Sequence, residues 1–524
     1  MSDTRQVVEE GKIWREKGNK QVSVKEYDSA LESYTQAIRL NPSDYAALTN
    51  RSWVYFLQSK WQSSLVDAQA SININQSWVK GYYRKAIALK QLKRYRDAID
   101  TLDYAIKSPV LKGTIHLTDT KLFINEIDTI TKSIIDYMTL QQDEKTTTKQ
   151  HQQVDKVDIK MIGGDLGKGV FTQTGIQANT AVTVEYPLVS HISCKYLGQY
   201  LDQGTNNNNN NNKSSTWYQT CSHCMENRIR DPTILSKLLG DQPYREIYSS
   251  LYPNSKEYIV CGHCKVEYYC SESCQQLAWS QYHQIQCPHM SIIKQQLYPH
   301  CIENEQTNPL IISRMFAMVL QSIIYQQKEF TESIIPFTFF ISNGQWQSKG
   351  DEKVLSILKS IFKNESQLDQ VLTIERYRQF NSIIQCNASK INPLSRIHML
   401  IEKNTIESPA LQDYIQLVED GPKVPFGEPL LNLLESLSDC CVHGSGLYVY
   451  ANSCNHSCSP NAAITNESTN FSATIRSITD IPNGNQIEIS YIEEDQPSQT
   501  RQSELIDKYK FKCHCQKCTN RIIK

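Results

Sequence analysis

GSGLYVYANSCNHSCSPNAAI, residues 444–464, sets a polar cluster of Asn455, His456, Ser457, Cys458, Pro460 and Asn461 between two β-prone runs. Strands of a buried sheet are ordinarily apolar, so a polar run inside one asks for a reason. Downstream lie IPNGNQIEISYI, residues 481–492, and RQSELIDKYKFKCHCQKC, residues 501–518, the latter carrying three closely spaced cysteines. Upstream, IKMIGGDLGKGVFTQTGIQANTAVTVEYPLV, residues 159–189, alternates β-branched residues with Gly and Asn turn signals, as short antiparallel strands do. The two β-prone regions stand far apart in the chain. One β-rich domain split by insertions accounts for both.

The first insertion is cysteine-rich. Cys221-x-x-Cys224, Cys261-x-x-Cys264, Cys270-x-x-x-Cys274 and His283-x-x-x-Cys287 offer eight soft ligands, enough for two closed tetrahedral zinc sites. Full coordination leaves no position for water, so these zincs are structural. All 17 cysteines lie at or beyond Cys194, with no apolar leader at the start. Zinc in a reducing compartment fits that spacing better than a disulfide framework. Cys513, Cys515 and Cys518 form a third group, one ligand short. The second insertion reads as mainly helical from about residue 308 to 437.

The N-terminal third repeats with a period near 34, the signature of tetratricopeptide helical hairpins. Trp14, Gly18, Ala30, Tyr34, Ala37 and Pro42 mark the first copy, Leu48, Ser52, Tyr55, Ser64 and Ala68 the second, and Tyr82, Ala86, Leu89, Ala98 and Ala105 the third. An amphipathic helix over about 115–138 covers the last apolar face. A Gln-, Thr- and Lys-rich stretch follows as a linker. The seven asparagines at 206–212 cannot bury apolar surface and read as a disordered loop.

The expected architecture is therefore α+β and multidomain. Residues 8–140 hold the repeats and capping helix, 141–155 the linker, 156–220 the first part of the β-rich domain and 221–287 the zinc finger. Residues 288–443 form the helical insertion, 444–496 the second part of the β-rich domain and 497–524 the cysteine tail. With 54 basic against 55 acidic side chains, net charge gives no reason to expect direct nucleic-acid binding. No apolar run is long enough to span a membrane, so a cytoplasmic or nuclear protein is expected.

The order of these motifs resembles the SET and MYND family of protein lysine methyltransferases, and covers roughly residue 159 to the C-terminus. It is nearest the branch with a long first MYND loop and a chain that ends soon after the post-SET cysteines. The resemblance implies that the first and third finger pairs share one zinc, and the second and fourth the other. It also supplies Cys458 as fourth ligand beside Cys513, Cys515 and Cys518, giving two zincs in MYND and one in post-SET. It implies S-adenosyl-L-methionine as cofactor, held by the Gly167, Lys168, Gly169 turn, by Asn455 and His456, by Phe511, and by Asn387. Tyr491 matches the tyrosine at the methyl-transfer site, in contact with cofactor, and Tyr509 a second tyrosine lining the lysine channel. The family's acidic turn is here Gly484, Asn485, Gln486, and Leu166 replaces an often polar residue.

Methyl transfer is an in-line displacement by a neutral amine, so positioning and exclusion of water dominate, and no covalent nucleophile is needed. Cys454 accordingly reads as a packed thiol. The implied activity is protein-lysine N-methylation of a histone or non-histone protein. The rival is a noncatalytic adaptor or co-chaperone using repeats and finger to bind partner peptides.

On the repeats, Arg15 and Asn19, Asn50, and Lys80 and Arg84 fall on the first helices of successive copies, which line a groove. This resembles the dicarboxylate clamp that binds the C-terminal EEVD peptides of Hsp70 and Hsp90. Cations with two amides suit paired carboxylates, although Arg15 stands where lysine is usual.

Overall fold

The computed structural model describes residues 2–143, 157–162, 167–197, 218–229, 258–342, 347–348, 350–363, 365, 367–393, 442–509 and 511–519. The asparagine run, Leu166 and most of the second half of the helical insertion lie outside them.

Helices α1 (Ser2–Ser23), α2 (Tyr27–Leu40), α3 (Tyr45–Leu57), α4 (Trp61–Ile74), α5 (Val79–Gln91), α6 (Tyr95–Lys107) and α7 (Leu117–Asp143) form three hairpins and a cap. Lys25, Ser59 and Lys93 take φ of 64°, 58° and 56°, one in each hairpin turn. Their N–H groups bond the carbonyls of Val22, Phe56 and Lys90, each at 3.0 Å. These turns recur every 34 residues although none uses glycine, so the period is built into the backbone as well as into the side chains. Small residues set the packing: a Cβ on Gly18 would meet the Tyr34 ring at 2.7 Å. Ala30, Ala37, Ala68, Ala86, Ala98 and Ala105 are fully buried between helices. Asp44 caps α3 by accepting from Ala47 N at 2.9 Å. The cap α7 runs to Asp143, three residues into the stretch expected as linker. Residues 159–169 and 334–339 cluster with this helical unit.

The second unit carries most of the strands. The strands are β1 (Val157–Met161), β2 (Lys168–Thr172), β3 (Ala181–Glu185), β4 (Val189–Ile192), β5 (Tyr218–Thr220), β6 (Asn227–Ile229), β7 (Ile259–Val260), β8 (Tyr268–Tyr269), β9 (Ser389–Ile391), β10 (Gly444–Leu447), β11 (Asn455–His456), β12 (Ala462–Thr465), β13 (Ala473–Ser477) and β14 (Gln486–Ile489). One sheet orders β12-β13-β3 and another β4-β10-β9. β14 pairs antiparallel with β2 (Ile487↔Val170) and parallel with β11 (Asn455↔Glu488, His456↔Ile489). Strands from before and after the insertions thus share sheets, as a split domain requires. β9 lies inside the span expected as helical insertion and pairs with β10 (Gly444↔Ile391). Its three residues are too few to show a period in sequence. The insertion's helices include Asn308–Ile324, buried along most of its length, and Ile374–Asn387, capped by Thr373.

Candidate functional site

Two hairpins build the finger. β5/β6 and β7/β8 each enclose a Cys-x-x-Cys turn, and Met225 and Lys265, each the residue after the second cysteine, take φ of 61° and 57°. Met225 N bonds Cys221 O at 3.0 Å, and Lys265 N bonds Cys261 O at 3.1 Å. These twin knuckles turn two sulfurs to the same side. Ser271 caps the following helix, Glu272–Ala278, by accepting from Cys274 N, which fixes the third pair, and the helical continuation brings His283 and Cys287.

Ligand atoms gather in three sets, each mutually within 4.8 Å: Cys221, Cys224, Cys270 and Cys274; Cys261, Cys264, His283 and Cys287; Cys458, Cys513, Cys515 and Cys518. The first and third finger pairs therefore share one site and the second and fourth the other. A tetrahedron of Zn–S bonds near 2.3 Å puts sulfurs about 3.8 Å apart. Cys224 and Cys270 are 3.5 Å apart, Cys261 and Cys287 3.7 Å, and Cys458 and Cys513 3.9 Å. The three sets are suited to zinc. Burial pushes His283 down to about 4, so the imidazole is neutral, as a metal ligand must be.

The polar run of residues 455–461 is explained by Asn461. Its Oδ1 accepts from Glu488 N at 2.8 Å and its Nδ2 donates to Gln486 O at 2.8 Å, while its own N bonds Glu488 O. One side chain thus completes the edge of β14. Next to it, Tyr491 N donates to His456 Nδ1 at 3.0 Å, and the Tyr491 hydroxyl donates to Cys454 O at 2.6 Å. The Tyr491 ring lies 5.0 Å from that of Tyr509 and 6.3 Å from that of Phe511. His456 is 5.3 Å from Tyr491 and 6.0 Å from Phe511, centroid to centroid.

This aromatic cluster packs on the third cysteine set. Burial raises both phenols above their ordinary range and lowers His456 to about 4, so all three are neutral near pH 7. Cys454 is buried, with its thiol pushed up by the same cause, as a packed residue should be. Arg501, also buried, sends Nη2 toward Cys518 Sγ at 3.8 Å and Nη1 to Gln496 O. A buried cation offsets the charge that four thiolates bring to a divalent metal. Nothing in the spacing of Arg501 marked it.

Asn387 is placed otherwise than expected. Its Nδ2 is spent on the carbonyls of Ile341 (2.8 Å) and Ile383 (2.7 Å), which ties off the end of its helix. Only its oxygen is left for a ligand. The Lys168 amine is likewise occupied, donating to Phe339 O at 2.8 Å, so that residue has only backbone to offer. Gly167 takes φ +63°, and among the described residues nothing lies within 4 Å of the place a Cβ would fill. The turn leaves its main chain open, the property that approach to a ligand requires.

On the repeats, Asn50 Nδ2 bonds Asn19 Oδ1 at 2.8 Å, so the two amides do meet. Arg84 sits 3.8 Å over the Trp53 ring, Lys80 5.8 Å from that of Trp78, and neither has a carboxylate partner among the described residues. Arg15 departs from expectation. Its guanidinium is held by both oxygens of Asp44, at 2.7 and 2.6 Å, so it is not a free clamp residue.

The MYND finger family matches residues 249–287, and Cys221 and Cys224 complete its first zinc set from outside that span. The zebrafish protein-lysine N-trimethyltransferase SMYD5 is 27% identical over 406 residues, 70% of this chain and 88% of that protein. Its human counterpart is 27% identical over 397 residues, 69% and 86%. The chain is thus similar to SMYD5 over 70% of its length. The matched finger and the helical insertion interrupt the β-rich region, which the C-terminal cysteine set follows. Other relatives match a shorter stretch of the chain. A Dictyostelium discoideum STIP1 homolog is 34% identical over 94 residues, 18% of this chain and 17% of that protein. No helix among the described residues is long and apolar enough to cross a membrane.

Proposed function

We propose that this chain is an S-adenosylmethionine-dependent protein-lysine N-methyltransferase. The observation that carries the reading is the Tyr491 hydroxyl, held on the carbonyl of Cys454 beside Tyr509 and Phe511, with Asn455 and His456 strand-paired alongside. Asn455, His456 and Phe511 are the residues proposed to hold the cofactor. When bound, it supplies an electrophilic sulfonium methyl group.

The protein's part is positional. Tyr491 stays a neutral phenol, and because its proton is committed to Cys454 O, its oxygen offers lone pairs toward an incoming amine. Tyr509, whose hydroxyl donates to the Tyr491 carbonyl at 3.3 Å, narrows the same site with a second ring. Desolvation in an apolar channel disfavours the lysine ammonium and so promotes loss of its proton before attack. Neither Cys454 nor His456 takes part as nucleophile or base. The test is transfer of radiolabelled methyl groups into cell-extract proteins. Labelled bands lost in both Tyr491→Phe and Asn455→Ala establish the activity and yield substrates. No labelling, with no cofactor binding by calorimetry, favours the adaptor.

That second reading rests on Lys80 and Arg84, two cations of the repeats without acidic partners among the described residues. Burial lowers Arg84 to about 10, the state of a guanidinium short of countercharge. We propose that this groove docks acidic C-terminal peptides of the EEVD kind carried by Hsp70 and Hsp90. Such docking is compatible with catalysis elsewhere in the chain.

A further inference from the structure

Glu185, the last residue of β3, is buried and has three main-chain donors. Its Oε2 accepts from Val449 N (2.9 Å) and Tyr450 N (3.1 Å), and its Oε1 from Ala451 N (2.5 Å). Three consecutive N–H groups converging on a carboxylate form an anion-holding nest, filled here by the protein's own side chain. β3 anchors the glutamate through its pairing with Ala473 of β13. The gripped turn has further fastenings: Ser453 Oγ donates to Val449 O at 2.6 Å, and Asn452 Oδ1 accepts from Tyr448 N. Three residues past Ala451 comes the Cys454 carbonyl that takes the Tyr491 hydroxyl.

We propose that Glu185 is a positioning residue of the methyl-transfer site: its carboxylate fixes the main chain at 449–451, and through it the Cys454 carbonyl that orients the Tyr491 hydroxyl. The proposal rests on the reading of Tyr491 as the methyl-transfer residue.

The clasp depends on ionisation. A carboxylate offers lone pairs to all three N–H groups, whereas a protonated carboxyl puts an O–H where one of those donors points. Burial raises Glu185 to about 7, against the opposing pull of its three donors. The titratable groups facing it are the Tyr448 hydroxyl and the Cys454 thiol, both pushed up by burial and neutral below pH 9. On β13, Arg476 is taken up by Glu467 at 2.5 and 2.6 Å. Glu185 itself is therefore the group that changes charge near neutrality, and the clasp tightens as pH rises through about 7.

The test uses the full zinc-loaded chain. Hydrogen exchange at the amides of residues 449–451, corrected for intrinsic rates, is followed from pH 6 to 8.5 in the wild type, Glu185→Gln and Glu185→Asp. Methyl-transfer kcat and the KM for S-adenosylmethionine are measured alongside. Wild-type protection should rise at least fivefold across that range. Glu185→Gln should lack the rise and lose tenfold or more in kcat. Its KM should stay within threefold, because Asn455 is held separately by Glu488. Glu185→Asp, which keeps the charge, should recover part of the kcat. Wild-type protection that is flat with pH, or a glutamine variant with unchanged kcat, overturns the proposal. If the wild type transfers no methyl group, the underlying activity assignment fails, while the exchange profile still shows whether the clasp exists.

Discussion

Replacing Cys515 by alanine removes one ligand of the third cysteine set at a half-buried position, with little change in packing. Its consequence follows from chain connectivity. The site joins Cys458, next to the proposed catalytic segment, to Cys513, 55 positions later in the tail. In the chain-entropy relation, closing a loop of that length is worth about 4 kcal/mol at 25 °C, here through a metal instead of a disulfide. Three thiolates still bind zinc weakly, so we take half to all of that as lost. At 1.4 kcal/mol per tenfold, the docked population of the tail falls by roughly thirty- to a thousandfold. Tyr509 and Phe511 are carried by that tail, and their rings complete the cluster around Tyr491. The variant should hold two zincs per chain instead of three by elemental analysis, and should be cut readily after residue 509 by limited proteolysis. Its methyl transfer should drop about a hundredfold, with the helical CD signal unchanged. Two zincs with undiminished transfer would refute the idea that this site organises the aromatic cluster.

Gly18→Ala should destabilise the repeats. Alanine gains about 1 kcal/mol of helix propensity over glycine, but its Cβ would press on the Tyr34 ring, which Asn19 Oδ1 holds by its hydroxyl at 2.8 Å. Overpacking of that kind costs about 1–3 kcal/mol, so the variant should show faster hydrogen exchange in α1 and α2. Asp44→Ser keeps a capping oxygen on α3 while releasing Arg15, and should tighten binding of an EEVD peptide by fluorescence anisotropy. Lys80→Ala combined with Arg84→Ala should weaken it at least tenfold. Glu185 also makes global stability pH-dependent. Its folded pKa, about 7, lies above its ordinary 4.5, so its stabilising contribution is full below pH 4.5 and lost as pH rises through 7. That part amounts to roughly 3 kcal/mol and is read by urea titration at pH 5 and 8, comparing wild type with Glu185→Gln.

Much of the architecture was readable because its signals are periodic or chemically costly to place by chance. Small residues returning every 34 positions give the hairpins, and thiols in close pairs give the zinc sets. The partition of the finger ligands required a resemblance, since spacing treats all four pairs alike. What escaped were features set by contacts between distant segments. β9 is too short for a period and is a strand only because β10 lies beside it. Arg15 has the right type and spacing for a clamp, yet Asp44, 29 positions away, claims it.

Glu185 shows the limit most clearly. In VTVEYP it stands as one acidic residue closing a β-branched run, a pattern that an exposed strand end would share. Its three donors come from residues 264 to 266 positions downstream, beyond both insertions. Two effects of one proton then act with opposite sign. Protonation relieves the cost of burying a charge and so favours the folded state, yet it removes an acceptor from the turn that carries Cys454. A residue present only for stability would move global and local protection together. Glu185 should move them apart: between pH 6 and 8 its own contribution to the free energy of unfolding, read as wild type minus Glu185→Gln, should fall while protection at residues 449–451 rises.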